Sequence, residues 1–124
     1  MNVLFVCTEN IARSPMAEAL FHDLLGHATR HQARSVGVAF YAARRLTTRD
    51  LVWADVVAVM EAKHLHVIRT QWPDLAQKAL VLDVPDLYQP GETELRAALI
   101  PKIQSLIERL GGSRDYVIGV VSPH

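Results

Sequence analysis

The sequence predicts an α/β protein, a three-layer sandwich in which helices flank a four-stranded parallel sheet. Three observations carry that expectation. Short, continuous apolar runs recur along the chain, the mark of strands buried on both faces. Between them lie segments with apolar residues three or four apart, the mark of amphipathic helices. Turn and capping residues punctuate the junctions, and strands that alternate with helices pair in parallel through helical crossovers. The chain has 124 residues, 50% of them hydrophobic, which suits one compact domain. Residues 1–111 carry the alternating pattern, and 112–124 form a tail left unassigned.

Val3-Leu4-Phe5-Val6 is the first buried strand. Ser14-Pro15 opens a helix, with serine suited to the N-cap and proline to the first helical position. Met16, Leu20 and Leu24 form its apolar stripe, and Gly26 offers a stop. Gln32 to Ser35 reads as a second strand ended by Gly37. Thr48 is placed to cap a short helix running through Trp53. Val56 to Met60 is a third strand, Ala62 to Gln71 a helix, and Leu80-Val81-Leu82 a fourth strand halted by Asp83-Val84-Pro85-Asp86. The last helix starts near Glu92 or Thr93. Leu95, Leu99, Ile103, Leu106, Ile107 and Leu110 mark its inner face, and Gly111-Gly112 ends it. Pro101 lies inside that stripe, so a kink is expected rather than two unrelated helices. The apolar segment from Asp115 to Val121 reads as either a further strand or an interface.

Composition excludes several classes. Thirteen basic residues balance thirteen acidic ones, so no field of one sign is offered to nucleic acid or to an anionic membrane. No stretch approaches the roughly 20 apolar residues of a membrane span, and the start of the chain carries no basic leader. A soluble, cytoplasmic protein is expected. Cys7 is the only cysteine, which rules out an intrachain disulfide and fits a reducing compartment. The histidines, His22, His27, His31, His64, His66 and His124, are read as polar surface residues. His64 and His66, two apart on a helix, face different ways, so no metal site is expected. Trp53 and Trp72 are read as packing residues. Arg44 is either a support for the cleft or a surface cation.

The chemistry concentrates in Cys7-Thr8-Glu9-Asn10-Ile11-Ala12-Arg13-Ser14-Pro15, a C-x5-R-S segment between a buried strand and a helix. Such a loop turns successive backbone N–H groups toward one point and makes an anion cradle. The positive end of the helix also favours a thiolate over a thiol. Five residues between Cys7 and Arg13 let the loop circle an anion of phosphate size. The guanidinium then lies opposite the sulfur and can bind two oxygens in a fork. Asn10 tolerates the left-handed backbone a tight loop needs, and the Ser14 hydroxyl is placed to hydrogen-bond the sulfur. A lone cysteine behind a buried strand is ordinarily an inert core residue. Here the arginine spacing, the serine, the strand and the helix all agree on chemistry instead. No G-x-G-x-x-G or G-x-x-x-x-G-K-[ST] motif competes with it.

Val3 to Leu20, VLFVCTENIARSPMAEAL, resembles the signature of the low-molecular-weight protein-tyrosine phosphatases. Ser35-Val36-Gly37 is similar to that family's S-A-G turn, whose serine supports the loop asparagine. Ala43-Arg44-Arg45-Leu46-Thr47 and Val59-Met60-Glu61 resemble two later segments. The resemblance runs from Met1 to about Leu110. It implies a metal-free and cofactor-free phosphatase with Cys7 as the nucleophile, forming a phosphocysteine that water hydrolyses. Thr8, Glu9, Asn10, Ile11, Ala12, Arg13 and Ser14 would be the phosphate loop, with a phosphorylated protein or a small aryl phosphate as substrate. Oligomeric state is not legible.

The sequence departs from the family in several places. Glu9 replaces a small residue and brings a carboxylate that works against a thiolate. Ala12 stands where many relatives have a second cysteine. The segment between Gly37 and Arg44 is much shorter, and in the family it walls the substrate cleft. The leaving-group acid of relatives comes from an Asp-Pro-Tyr segment, and here the segment is Asp83-Val84-Pro85-Asp86-Leu87-Tyr88. Counting back from Leu95 selects Asp86. Asp83, directly at the strand end, competes, and both also suit turn positions around Pro85. Two rival functions stay open. One is arsenate reduction, which here would need an external thiol. The other is a phosphate-binding module without turnover.

Overall fold

The structure is a computed structural model that describes residues 1–26 and 29–112. Four strands form one sheet: β1 (Asn2–Cys7), β2 (Gln32–Gly37), β3 (Val56–Val59) and β4 (Ala79–Val81), in the order β2-β1-β3-β4. All neighbours are parallel, as expected. The connecting helices are α1 (Arg13–Leu25), α2 (Thr48–Trp53), α3 (Ala62–Gln71) and α4 (Thr93–Ile107), with a 3-10 segment at Pro73–Lys78.

The apolar run of β1 is buried throughout because alternate residues serve opposite faces. Val3 and Phe5 join Ala17, Leu20 and Phe21 of α1 and Leu95, Leu99 and Ile103 of α4 in one cluster. Leu4 and Val6 face the other way, onto Leu51 of α2 and Ile68 of α3. Three layers follow directly. The chain leaves β1 toward β2 and then crosses to β3 on the far side, so its direction reverses beside β1. Loops leaving the carboxyl ends of β1 and β3 therefore face each other across a crevice, where ligands of such sheets bind.

Several boundaries differ from expectation for local reasons. The N-cap of α1 is Ala12, without a side-chain cap bond, and Ser14 lies inside the helix with its hydroxyl used elsewhere. The buried face of α1 centres on Ala17, Leu20 and Phe21, with Met16 and Leu24 only partly buried. Thr47, not Thr48, caps α2. Its hydroxyl accepts from the Asp50 amide while the Asp50 carboxylate accepts from the Thr47 amide. β3 ends at Val59, and β4 is one residue earlier than expected. α4 continues through Pro101, which is exposed, so water can reach the carbonyl that its missing N–H would have bonded. The α-helix ends at Ile107, before Leu110, and passes into a π-helical segment over Glu108–Gly112, where Gly111, at φ 69°, breaks the helical geometry. His27, His124 and the segment Asp115 to Val121 lie outside the described residues.

Candidate active site

The loop from Thr8 to Ala12 is held mainly by its carbonyls. Those of Cys7, Thr8 and Glu9 accept from the amides of Val38, Ala39 and Ala43 at 3.0, 3.0 and 2.9 Å. The short turn after β2 thus braces the loop from outside. Gly37 makes that approach feasible, because a Cβ there would lie 2.6 Å from the Thr8 carbonyl and 2.9 Å from the Asn10 amide. With the carbonyls turned outward, the amides of Glu9, Ile11, Ala12 and Arg13 have no acceptor in the chain among the described residues. They lie at the N-terminal end of α1, an arrangement suited to an anion.

Asn10 adopts φ 58°, the left-handed geometry expected of it. That geometry turns its amide onto the Cys7 sulfur at 3.1 Å. The Ser14 hydroxyl lies 3.0 Å from the same sulfur, accepts from the Asn10 side chain at 2.9 Å and donates to the Val36 carbonyl at 3.2 Å. The one Ser14 proton can turn to the Val36 carbonyl or to a charged Cys7 sulfur, and the Asn10 side chain fixes the hydroxyl oxygen between them. The expected support of Asn10 by Ser35 is not what holds it. Among the described residues the Asn10 side chain bonds Ser14 instead.

Arg13 is 3% exposed. Its Nη1 donates to the Glu61 carboxylate at 2.6 Å and to the Val84 carbonyl at 2.9 Å, which uses both of its hydrogens. The Nη2 atom makes one long contact, 3.4 Å, to the Thr8 hydroxyl. Among the described residues the edge of the guanidinium formed by Nε and Nη2 makes no other bond, which leaves it oriented for a ligand. Burial alone would raise the Glu61 carboxyl. The hydrogen bond and charge of Arg13 outweigh it, with help from Lys63 at 3.7 Å, and hold Glu61 below its usual value.

Cys7, Thr8, Glu9, Ile11, Ala12 and Arg13 all line one cleft of about 340 Å³, with Asp86, Tyr88, Gln89 and Pro90 on its other wall. Asn10 and Ser14 are buried and act from behind the loop. Asp83, at φ 62°, opens instead onto a separate depression beside Lys102, Ser105 and Arg109. Arg44 is exposed and reaches Asp50 at 3.5 Å, away from this cleft. Trp53 carries Arg34 over its ring at 4.0 Å, and the Trp72 indole donates to Thr48, so both serve packing.

His64 and Glu61 are what sequence reasoning missed. His64 is 1% exposed, not a surface residue, and so is His31 nearly buried at 6%. The Nδ1 atom of His64 accepts from the Glu61 amide at 3.0 Å and its Nε2 meets the Thr8 hydroxyl at 2.9 Å. The signal was present as Glu61-Ala62-Lys63-His64, a helix-opening pattern with histidine in the reciprocal capping position. Burial is the main cause that pushes the His64 pKa down from 6.5 to about 4, and the Arg13 cation adds to it. Between those values the unfolded chain takes up a proton that the folded chain refuses. Stability is therefore full above the unfolded value and falls as pH drops from 6.5 toward 4. The loss from this group is up to about 3 kcal/mol. Denaturant melts across that range are expected to show the decline in the wild type and a flatter profile in His64→Gln. Equal slopes would contradict the depressed titration.

Known proteins of one family resemble this chain. Residues 2–41 match the family described as low molecular weight phosphotyrosine protein phosphatase. The low molecular weight protein-tyrosine-phosphatase Ptp of Acinetobacter johnsonii is 30% identical, over 71% of this chain and 80% of that relative. This chain belongs to the low-molecular-weight protein-tyrosine phosphatase family. As a member it is a hydrolase of the phosphatase type. The phosphatase YfkJ of Bacillus subtilis is 28% identical, over 81% of this chain and 88% of its own length. Among solved structures, the YwlE arginine phosphatase of Geobacillus stearothermophilus is 26% identical, with a TM-score of 0.73 and 99% of each chain covered. The fold is thus shared along almost the whole length of that neighbour.

Proposed function

We propose that this phosphatase hydrolyses phosphotyrosine or aryl phosphate monoesters through a phosphocysteine on Cys7. The observation that carries the reading is one cleft holding the sulfur, the unpartnered amides, the free edge of Arg13 and Asp86. The Cys7 sulfur attacks phosphorus as the bond to the aryl oxygen breaks. Arg13 and the loop amides hold the three equatorial oxygens as charge spreads over them. Asp86 gives a proton to the departing oxygen, and then takes one from the water that cleaves the S–P bond. Ser14 and the Asn10 amide stabilise the sulfur as it leaves. No metal or cofactor enters this scheme, and the cytoplasm, where a lone thiol stays reduced, is the compartment that suits it.

Ile11, half exposed at the cleft, and Tyr88 on the facing wall favour an aromatic substrate group. A second reading, phosphoarginine, has one observation in its favour. Glu9 and Asp86 place two carboxylates around the same cleft, where a guanidinium could pair with them. Peptides carrying phosphotyrosine or phosphoarginine, assayed with one preparation, separate the two. The aromatic reading expects kcat/KM to favour phosphotyrosine by at least about tenfold. The opposite order would transfer the substrate to phosphoarginine.

The acid role is tested by leaving groups. Asp86→Asn is expected to slow phosphorylation of the enzyme, read as kcat/KM, by about 10² for phenyl phosphate and far less for p-nitrophenyl phosphate, whose anion departs unaided. Asp83→Asn, on the separate depression, should leave that dependence unchanged. Should Asp83→Asn alone steepen it, the acid is Asp83.

A further inference from the structure

We infer that His64 is a positioning residue for the reaction, acting on the phosphate loop through the Thr8 hydroxyl. The inference rests on the reading of the Cys7–Arg13 loop as the phosphoryl site. It starts from the hydrogen count on the imidazole. Nδ1 accepts the Glu61 amide, so in the neutral ring the proton is on Nε2 and is donated to Thr8. Helix capping needs only the first of these bonds. The second reaches from the start of α3, after β3, across the crevice to the residue next to Cys7.

Thr8 is consequently fixed from three directions. Ala39 holds its carbonyl, His64 donates to its hydroxyl, and the same oxygen faces Nη2 of Arg13. One turn of α3 thereby controls both halves of the cradle, with Glu61 anchoring the guanidinium and His64 anchoring the loop. A protonated His64 could not accept from the Glu61 amide and would set a cation beside Arg13. Its burial keeps it in the neutral form this arrangement needs.

The test is a double-mutant cycle with graded replacements at position 64. Asparagine keeps an acceptor near the Nδ1 position but is too short to reach Thr8. Glutamine carries an amide N–H about as far as Nε2. His64→Asn and Thr8→Val are each expected to lower kcat on p-nitrophenyl phosphate about tenfold with little change in KM. Each should also weaken binding of inorganic phosphate, read directly by titration calorimetry. His64→Gln should recover most of the loss, and Thr8→Val with His64→Asn should be no worse than Thr8→Val alone. Thermal melts confirm that each variant is folded at the assay temperature, and Thr8→Val serves if the His64 variants are not. Losses that multiply, or glutamine as poor as asparagine, would make His64 a purely structural cap. Phosphate affinity unchanged in Thr8→Val would also overturn the inference. Because phosphate binding is read without turnover, the coupling remains measurable if Cys7→Ser shows the nucleophile to be elsewhere.

Discussion

Cys7→Ser is expected to abolish turnover of p-nitrophenyl phosphate while the protein stays folded. The sulfur lies at the mouth of the loop, where the Asn10 amide donates to it at 3.1 Å and the Ser14 hydroxyl lies 3.0 Å away. A serine oxygen in that place holds its proton far more tightly and is a weak nucleophile without an adjacent base. His64, behind Thr8, is committed to Thr8 and Glu61. Several powers of ten in kcat should therefore vanish. Serine is smaller than cysteine, and one buried atom changes identity, so the melting temperature should move little. Rates from steady-state assays and a thermal melt on the same sample check both halves. Activity near that of the wild type would end the nucleophile assignment.

Arg13→Lys is the next largest effect, although the charge is retained. The Nη1 atom already serves Glu61 and Val84, and the phosphoryl group is left to Nε and Nη2. A lysine has one nitrogen and cannot anchor to Glu61 while presenting two parallel donors to oxygens that spread in the transition state. It is also drawn toward the Glu61 carboxylate, away from the cradle. A fall in kcat/KM of about 10³ or more is expected, with the larger part in kcat. A variant within about tenfold, equivalent to about 1.4 kcal/mol, would reduce Arg13 to a bystander.

Much of this site was legible because its chemistry is contiguous. Cys7, Asn10, Arg13 and Ser14 fall within eight residues, and the apolar runs on either side fix the strand and the helix that aim them. Asn10 could be assigned its left-handed backbone from residue type alone, and the geometry bears that out. What was not legible depends on distant parts of the chain meeting. Ser14 has the composition of a cap, yet a bond to Val36, 22 residues away, decides its use. Glu61 lies 48 residues from Arg13, and His64 lies 56 from Thr8, so no local pattern announces either contact. Gly37 reads only as the end of a strand until the Thr8 carbonyl is seen against it. Thr47 was a different kind of miss. Thr47-Thr48-Arg49-Asp50 contains the capping box, and the register was one residue off.

The turn after β2 shows the same limit in the opposite sense. Its shortness was visible, and the loss of a cleft wall was the natural reading. The structure gives the short turn a further use, since its amides brace the carbonyls of Cys7, Thr8 and Glu9. Phe40 and Tyr41 on this turn are 80% and 60% exposed and stack edge to face at 5.2 Å. The same turn reaches the Glu9 carbonyl through the Ala43 amide.

The central claim is that phosphate passes through Cys7, and trapping the intermediate tests it most directly. Asp86→Asn, mixed with p-nitrophenyl phosphate, should form the phosphoenzyme readily and hydrolyse it slowly, because the good leaving group needs no acid but the attacking water needs the base. Acid quenching within the first turnover, followed by intact mass and peptide mapping, is predicted to show one added phosphoryl group on the peptide containing Cys7. Turnover with no such adduct, or with the phosphoryl group on any other residue, would contradict the account.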